Sequence, residues 1–170
     1  MKPIHTDEPD APTVLLVAPT GVSAFNIGGM TIHATILLGT RHNCQSLSSE
    51  KQNALYNRLH CLHLVVIDEV SMVGSDTLFD IDCRLKEIIG RSEFDESIFG
   101  NVSILAVGDL YQLLPVKQRY IFEQPSNINA QLCGSLWDKF TLHELATIMR
   151  QREDLAFAEL LNRIRITYRL

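Results

Sequence analysis

Three short apolar runs punctuate the chain: Thr13 to Ala18 (TVLLVA), Leu64 to Ile67 (LVVI) and Val102 to Val107 (VSILAV). Runs of this length, rich in β-branched residues, predict strands buried on both faces, as in a parallel sheet covered by helices. Between them the apolar period changes. Val22, Ala24, Phe25 and Ile27 predict a helix that stops at Gly28-Gly29. Phe25 lies on its apolar face and is expected in the core. Thr31 to Leu38 predicts a short helix or a covered loop, and residues 39–50 a polar loop. Ser48 or Ser49 can cap a helix carrying Leu55 and Leu59. Asp76 is expected to cap a longer one, with Leu78, Ile81, Leu85 and Ile88 at three- and four-residue spacing and Gly90 at its close. Residues 91–101 read as a charged loop. Residues 117–135 are polar and predict no definite element. Phe140 to Leu145 predicts a fourth strand, and Asp154 to Ile166 an amphipathic helix with Leu155, Leu160, Leu161 and Ile164 on one side. Strands alternating with helices predict an α/β domain with a largely parallel sheet.

Composition narrows this little. A chain of 170 residues can bury a real core. The net charge of −5 argues against a surface that is basic overall, so any nucleic-acid contact must use a local groove, backbone amides and a few cations. Four scattered cysteines, without a C-x-x-C pair, make no disulfide framework and suggest a reducing, intracellular setting. His60, Cys61 and His63 are close together but lack a fourth zinc ligand at matching spacing. Residues 1–13 are polar with no apolar signal segment, and no run approaches the ~20 apolar residues of a membrane span.

Chemistry enters where the second strand ends. Leu64-Val65-Val66-Ile67 runs into Asp68-Glu69-Val70-Ser71-Met72. Open parallel sheets present their ligands at the carboxyl ends of the strands. Side chains alternate along a strand, so the two acids leave it in different directions. One can hold a hydrated Mg²⁺ while the other orients a water, the Walker B arrangement of nucleotide hydrolases. A core strand ending in two solvated acids fits these nine residues equally well. The third strand opens into Gly108-Asp109-Leu110-Tyr111-Gln112-Leu113-Leu114-Pro115-Val116. Glycine there lets backbone approach a ligand. Asp109 can receive a metal-bound water or orient a neighbour, and the Gln112 amide can sense a terminal phosphate. A strand followed by a turn, stopped by Pro115, is the plainer alternative.

Together these blocks resemble the Pif-type DNA helicases of superfamily one, which include the Helitron-type transposon helicases. IDEVSM and GDLYQLLPV resemble that family's motifs II and III. VAPTGVSAFNIGGMTIHA, residues 17–34, resembles motif Ia, and LWDKFTLHELATIMRQ, residues 136–151, the approach to motif IV. The resemblance implies a RecA-like P-loop NTPase domain, with a largely parallel sheet and helices on both faces, here incomplete. Residues 1–13 would be a polar tail. Residues 14–150 would be a partial first motor domain, and 151–170 a helix leading toward a second one. It also implies ATP and Mg²⁺ as cofactors and, in a full-length parent, single-stranded and forked DNA as partners. Unwinding would run 5′ to 3′, in repair, recombination and telomere maintenance, in the nucleus or mitochondrion of a eukaryotic host.

Roles follow position by position from the resemblance. Asp68 would coordinate Mg²⁺ and Glu69 would activate the attacking water. Asp109 and Gln112 would face the nucleotide, with Gln112 near the γ-phosphate. Arg150 matches an arginine that reaches the γ-phosphate across the cleft between motor domains, a place that suits a permanently charged, two-pronged donor. Taken alone, Arg150 is a surface arginine near a helix start. In motif Ia, Pro19, Thr20, Gly21, Asn26, Thr31 and His33 would meet DNA. Thr20 can donate to a phosphate, and the first amides after Gly21 form an anion site. Taken alone, His33 reads as a core or loop histidine, and Phe25 as core rather than a base-stacking platform.

The sequence also departs from the family. The Walker A loop, G-x-x-G-x-G-K-[ST], should precede motif Ia, yet no lysine follows a glycine anywhere in the chain. Thirteen residues before the first strand are too few for a strand, that loop and its helix. The later motifs are also missing, and NRIRITYRL lacks the glycine usual after this helix. The expectation is a middle piece of a helicase, inactive by itself. The alternative is a non-catalytic remnant that binds single-stranded DNA. The missing phosphate-loop strand would leave Val102–Val107 with an open apolar edge. Ser23, where alanine is usual, and Leu114, where proline is usual, are expected to matter little.

Overall fold

The computed structural model describes residues 11–39, 45–89, 97–126, 131, 134–147, 149 and 155–167. Its elements in chain order are β1 (Val14–Ala18), α1 (Gly21–Asn26), β2 (Met30–Thr31), α2 (Ile32–Thr35), α3 (Ser49–Leu59), β3 (Leu64–Ile67), α4 (Ser75–Ile88), β4 (Ser103–Ala106) and α5 (Leu155–Thr167). Short 3₁₀ turns occupy Val70–Met72, Phe99–Asn101 and Trp137–Lys139. The chain forms two compact units, Met1–Asp138 and Lys139–Leu170. Among the described residues the first holds every strand, and the second holds α5.

The strands form one all-parallel sheet in the order β2-β1-β3-β4. Its register places Val17 beside Ile67 and Ile67 beside Ala106. Leu15, Val17, Val65 and Ile67 point to one face, where Ile32 and Ile36 around α2 and Ile81 and Leu85 of α4 close over them. The other face is thinly covered. Val14, Leu16 and Leu105 are exposed there, and the connection after α1 presses on Leu16. A Cβ on Gly29 would lie 2.2 Å from the Leu16 carbonyl oxygen, so only glycine fits that crossing. Among the described residues β4 has a strand partner on one side only, the open edge expected for 102–107.

The helix ends follow local chemistry. Ser48, one of the two serines expected to cap α3, holds its N-cap position without a side-chain cap hydrogen bond. α1 ends where the paired glycines predict: Gly28 takes the left-handed conformation (φ 65°), its N–H donates to the Phe25 carbonyl, and the Gly29 N–H donates to the Ala24 carbonyl. That is a Schellman closure.

Several expectations are corrected. Gly74, not Asp76, is the N-cap of α4. Asp76 lies in the first turn, buried, and accepts from the Ser126 N–H at 2.7 Å. The short helix expected within Thr31 to Leu38 is α2, but Thr31 itself joins Met30 in a short strand, because the two pair with Ala18 and Val17. Phe140 to Leu145 is not a strand. Leu142 and Leu145 are both exposed there. Phe25 is 83% exposed and Val22 74% exposed, so these two side chains face outward while Ala24 of the same helix is buried. Gly90, expected to close α4, lies outside the described residues; the helix runs to Ile88 with Ile89 as its C-cap.

α4 is the most deeply set helix, with apolar and charged residues buried alike. The charges are paired along it. Lys86 Nζ lies 2.9 Å from Asp82 Oδ2, and Asp82 Oδ1 accepts from the Phe99 N–H. Arg84 pairs with Glu87 and donates to the Gln45 carbonyl oxygen. Asp82→Ala would strand Lys86 and the Phe99 N–H in the interior. Removing one partner of a buried ion pair costs about 3–5 kcal/mol. The urea midpoint should fall accordingly, and a loss below about 1 kcal/mol would mean that the pair is solvated.

Candidate functional site

The parallel register brings the chain's chemistry to one edge. Thr31 pairs with Ala18, and Val17 with Ile67, which pairs with Ala106. The segments leaving the four strands therefore form a row: Thr31 and His33, then Pro19-Thr20-Gly21, then Asp68-Glu69, then Gly108-Asp109. The sequence signals at 17–34, 64–72 and 104–116 are thus one structural edge.

Asp68 and Glu69 are both half-buried. The Asp68 N–H donates to the Val17 carbonyl at 2.9 Å, which extends the β1–β3 ladder one residue past the strand. Glu69 then leaves the strand in a left-handed conformation, φ 53° and ψ 47°. The Val70 N–H donates to the Val107 carbonyl at 3.0 Å, and Met72 N–H to the Glu69 carbonyl at 3.1 Å. The chain thus turns sharply under the acids and enters the 3₁₀ turn. Strand alternation would predict opposite directions for the two carboxylates; the left-handed residue sets that of Glu69 instead.

Asp109 acts on its neighbours. Its Oδ1 accepts from the Tyr111 N–H at 3.0 Å, its carbonyl from the Gln112 N–H at 2.8 Å, and its Oδ2 from Gln112 Nε2 at 3.4 Å. The aspartate closes its own turn and leans on the Gln112 amide, which is otherwise exposed. These contacts let Asp109 orient a neighbour. Downstream, the stretch without a predicted element caps α4. Gln118 packs on Gly74 and accepts from Thr77 Oγ1 at 2.8 Å, while the Ser75 N–H donates to the Arg119 carbonyl. The segments after β3 and β4 meet at the start of the same helix.

On the β1 side, Thr20 is the N-cap of α1 and accepts from the Ser23 N–H at 3.2 Å. The Ser23 hydroxyl stands 2.9 Å from Thr20 Oγ1. Either hydroxyl of this pair can be the donor. If Ser23 donates, Thr20 keeps a donor for an oxyanion. The Ser23 and Ala24 amides are committed to Thr20, which leaves those of Gly21 and Val22 for an anion. Thr31 caps α2, accepting from the Ala34 N–H at 3.3 Å. His33 and Asn26 are exposed, so His33 is not a core histidine. Pro19 is half-buried. Arg150 lies outside the described residues.

The donor set can be tested against the implied ion. Among the described residues no group of three or more His, Cys, Asp or Glu could hold a metal by itself. Mg²⁺ is commonly held by one or two carboxylates, its own waters and substrate phosphates. Asp68, with Asp109 on the neighbouring exit, fits that sparse mode and not a self-sufficient metal centre. No helix among the described residues is long and apolar enough to cross a membrane.

A family model described as PIF1-like helicase matches residues 4–166. The chain is similar to the ATP-dependent DNA helicase PIF1 of Emericella nidulans, 35% identical over 95% of this chain and 21% of that protein. Human PIF1 is 32% identical over 88% and 22% respectively. The chain therefore spans about a fifth of the length of the curated relatives it matches. Among solved structures, Bacteroides Pif1 in complex with ADP-AlF3 and ssDNA is 30% identical, with a TM-score of 0.66 over 93% of this chain and 37% of that one. Pif1 helicase from Candida albicans matches with a TM-score of 0.68 at 26% identity, over 92% and 34%.

The Asp109 turn predicts a local dynamic effect. Asp109→Ala removes one acceptor of Gln112 Nε2, so the side-chain amide of Gln112 should gain fast motion. Its NMR order parameter should drop toward the flexible range, below about 0.6. An unchanged value would mean that Asp109 does not orient Gln112.

Proposed function

The chain belongs to the PIF1-like helicase family, and from that premise we propose that it is the water-activating part of an ATP-dependent DNA helicase. The observation that carries this reading is the row of Asp68-Glu69 and Gly108-Asp109-Gln112 on adjacent parallel strands, joined by the Val70–Val107 hydrogen bond. In this reading Asp68 holds Mg²⁺ and Glu69 takes a proton from the attacking water. Gln112, steadied by Asp109, lies toward the γ-phosphate. By analogy with the family, Arg150 supplies positive charge to the same phosphate. The bound Mg²⁺–ATP would contribute the scissile phosphate and the charge that these groups offset.

The residues present fit Mg²⁺ but not the whole triphosphate. Nucleotide hydrolases of this kind cradle β- and γ-phosphates with a glycine-rich loop and its lysine. No lysine follows a glycine in these 170 residues. The cradle must then come from other chain, and the isolated polypeptide is expected to lack ATPase and unwinding activity.

The DNA side rests on motif Ia. Thr20, Gly21, Asn26, Thr31 and His33 line the edge beside Pro19, and Phe25 and Val22 project outward from the same short helix. An exposed aromatic next to a phosphate-sized donor set suits single-stranded nucleic acid, which is gripped by stacking and backbone contacts. Movement 5′ to 3′ on forked DNA, service in repair, recombination and telomere maintenance, and a nuclear or mitochondrial location are proposed by analogy with the family. The outward Phe25 also favours a second reading: a non-catalytic module that binds single-stranded DNA.

Three measurements separate these readings. Residues 1–170 alone should show no Mg²⁺-ATPase with or without single-stranded DNA. DNA-stimulated hydrolysis that Glu69→Gln abolishes would reveal a phosphate site in this chain and overturn that part of the proposal. In a full-length protein carrying this segment, Glu69→Gln should bind nucleotide normally and lose turnover by roughly a hundredfold or more. Near-normal turnover would remove Glu69 from the role and leave the binding-module reading. In the same protein Arg150→Lys should stay severely impaired, since arginine fingers contribute roughly 10³–10⁵ in rate. Normal hydrolysis by Arg150→Ala would detach Arg150 from the site.

A further inference from the structure

Gly108 sits where the chain leaves β4, directly against the turn that follows the two acids. A Cβ placed on it would lie 2.8 Å from the Val70 nitrogen, 3.2 Å from Val70 Cγ1 and 3.4 Å from the Glu69 carbonyl carbon. Two of those neighbours are backbone, which cannot swing aside as the end of a flexible side chain can. Gly108 also has φ 156°, where side-chain-bearing residues are rare. The peptide it touches is the one between Glu69 and Val70. Glu69 is held left-handed at φ 53°, a conformation that costs a residue with a Cβ roughly 1–2 kcal/mol. Such a residue persists only when its surroundings over-determine it. Here the Asp68 N–H is fixed by the Val17 carbonyl on one side, and the Val70 N–H by the Val107 carbonyl on the other. The second clamp belongs to the residue just before Gly108, so the β4 exit both pins the Glu69–Val70 peptide and lies flat on it.

We propose that Gly108 is a positioning residue for Glu69. Its missing side chain lets the β4 exit set the left-handed turn that aims the Glu69 carboxylate. This rests on the reading of Glu69 as the water-activating base. It adds that Gly108 acts on turnover through Glu69, by the backbone, without touching nucleotide. Any Cβ at 108 must push the Glu69–Val70 peptide away or break the Val70–Val107 hydrogen bond. Either shift moves the carboxylate by a sizeable part of an ångström, and misplacements of about 1 Å cost on the order of a hundredfold in rate.

The test is a double-mutant cycle in the full-length protein, with Gly108→Ala, Glu69→Gln and the pair, read by single-turnover ATPase, nucleotide Kd and thermal melting. Gly108→Ala should lower the hydrolysis rate by roughly ten- to a hundredfold. Nucleotide Kd should stay within about twofold of the parent, since the phosphate-binding groups are untouched. In the Glu69→Gln background, Gly108→Ala should cause no further loss, because there is no carboxylate left to aim. Multiplying losses, a Kd that weakens in step with the rate, or an unchanged rate would each overturn the proposal. Full activity of Glu69→Gln alone would instead sink the reading of Glu69, a separate outcome. If Gly108→Ala does not melt cooperatively, Val70→Ala combined with it removes the Cγ1 contact, and the same criteria apply. Failure of that protein to fold would assign Gly108 to the fold and overturn the positioning role.

Discussion

The hydrogen-bond ladder on both sides of β3 is the constraint from which the rest of the first unit follows. β1 and β4 pair with the same four residues, Leu64 to Ile67, in parallel register. Each ladder then continues past the strand's end, through Asp68 to Val17 and through Val70 to Val107. A parallel strand held on both sides cannot slip by one residue without turning Val65 and Ile67 away from α4 and toward the open face. The register that buries them therefore also fixes where the acidic pair emerges, and between which neighbours.

Much of this was legible in the sequence because it rests on unbroken apolar runs. The runs at 13–18, 64–67 and 102–107 became β1, β3 and β4 with no end shifted by more than one residue, and the acids fell at the carboxyl edge as open parallel sheets require. Gly28-Gly29 announced the end of α1 because left-handed closure has a specific sequence cost. Phe25 misled because periodicity reports an apolar stripe and not whether anything covers it. The sheet face beside it is equally bare, with Leu16 and Leu105 exposed. β2 was hidden because two residues carry no period. The site's finer points were hidden for a different reason. The left-handed Glu69, the fit of Gly108 against Val70 and the Gln118 contact with Gly74 all arise between segments far apart in sequence.

α4 joins two roles that its amphipathic pattern kept apart. Leu78, Ile81, Leu85 and Ile88 pack as the spacing predicts, yet Asp76, Asp82, Arg84 and Lys86 are buried too. Buried charges persist when paired and hydrogen-bonded. The Asp82–Lys86 pair and the Ser126 N–H to Asp76 contact supply that pairing. The start of α4 receives both the turn after Glu69 and the segment after Gln112, so the helix ties the two ends of the acidic edge to the core.

The all-parallel order also sets a timetable for synthesis. No strand here can close a tight hairpin with its successor, since parallel neighbours need a crossover connection. Val14 leaves the ribosome long before Leu64, its partner, and Leu64 before Ser103. β1 can meet the two-residue β2 early, but its edge toward β3 stays open until Leu64 to Ile67 arrive, and β3 must wait again for β4. Long-range parallel pairing is slow and exposes unpaired edges meanwhile. The nascent segment between Thr13 and Ile67 thus carries an open strand edge for longer than a hairpin-linked sheet would.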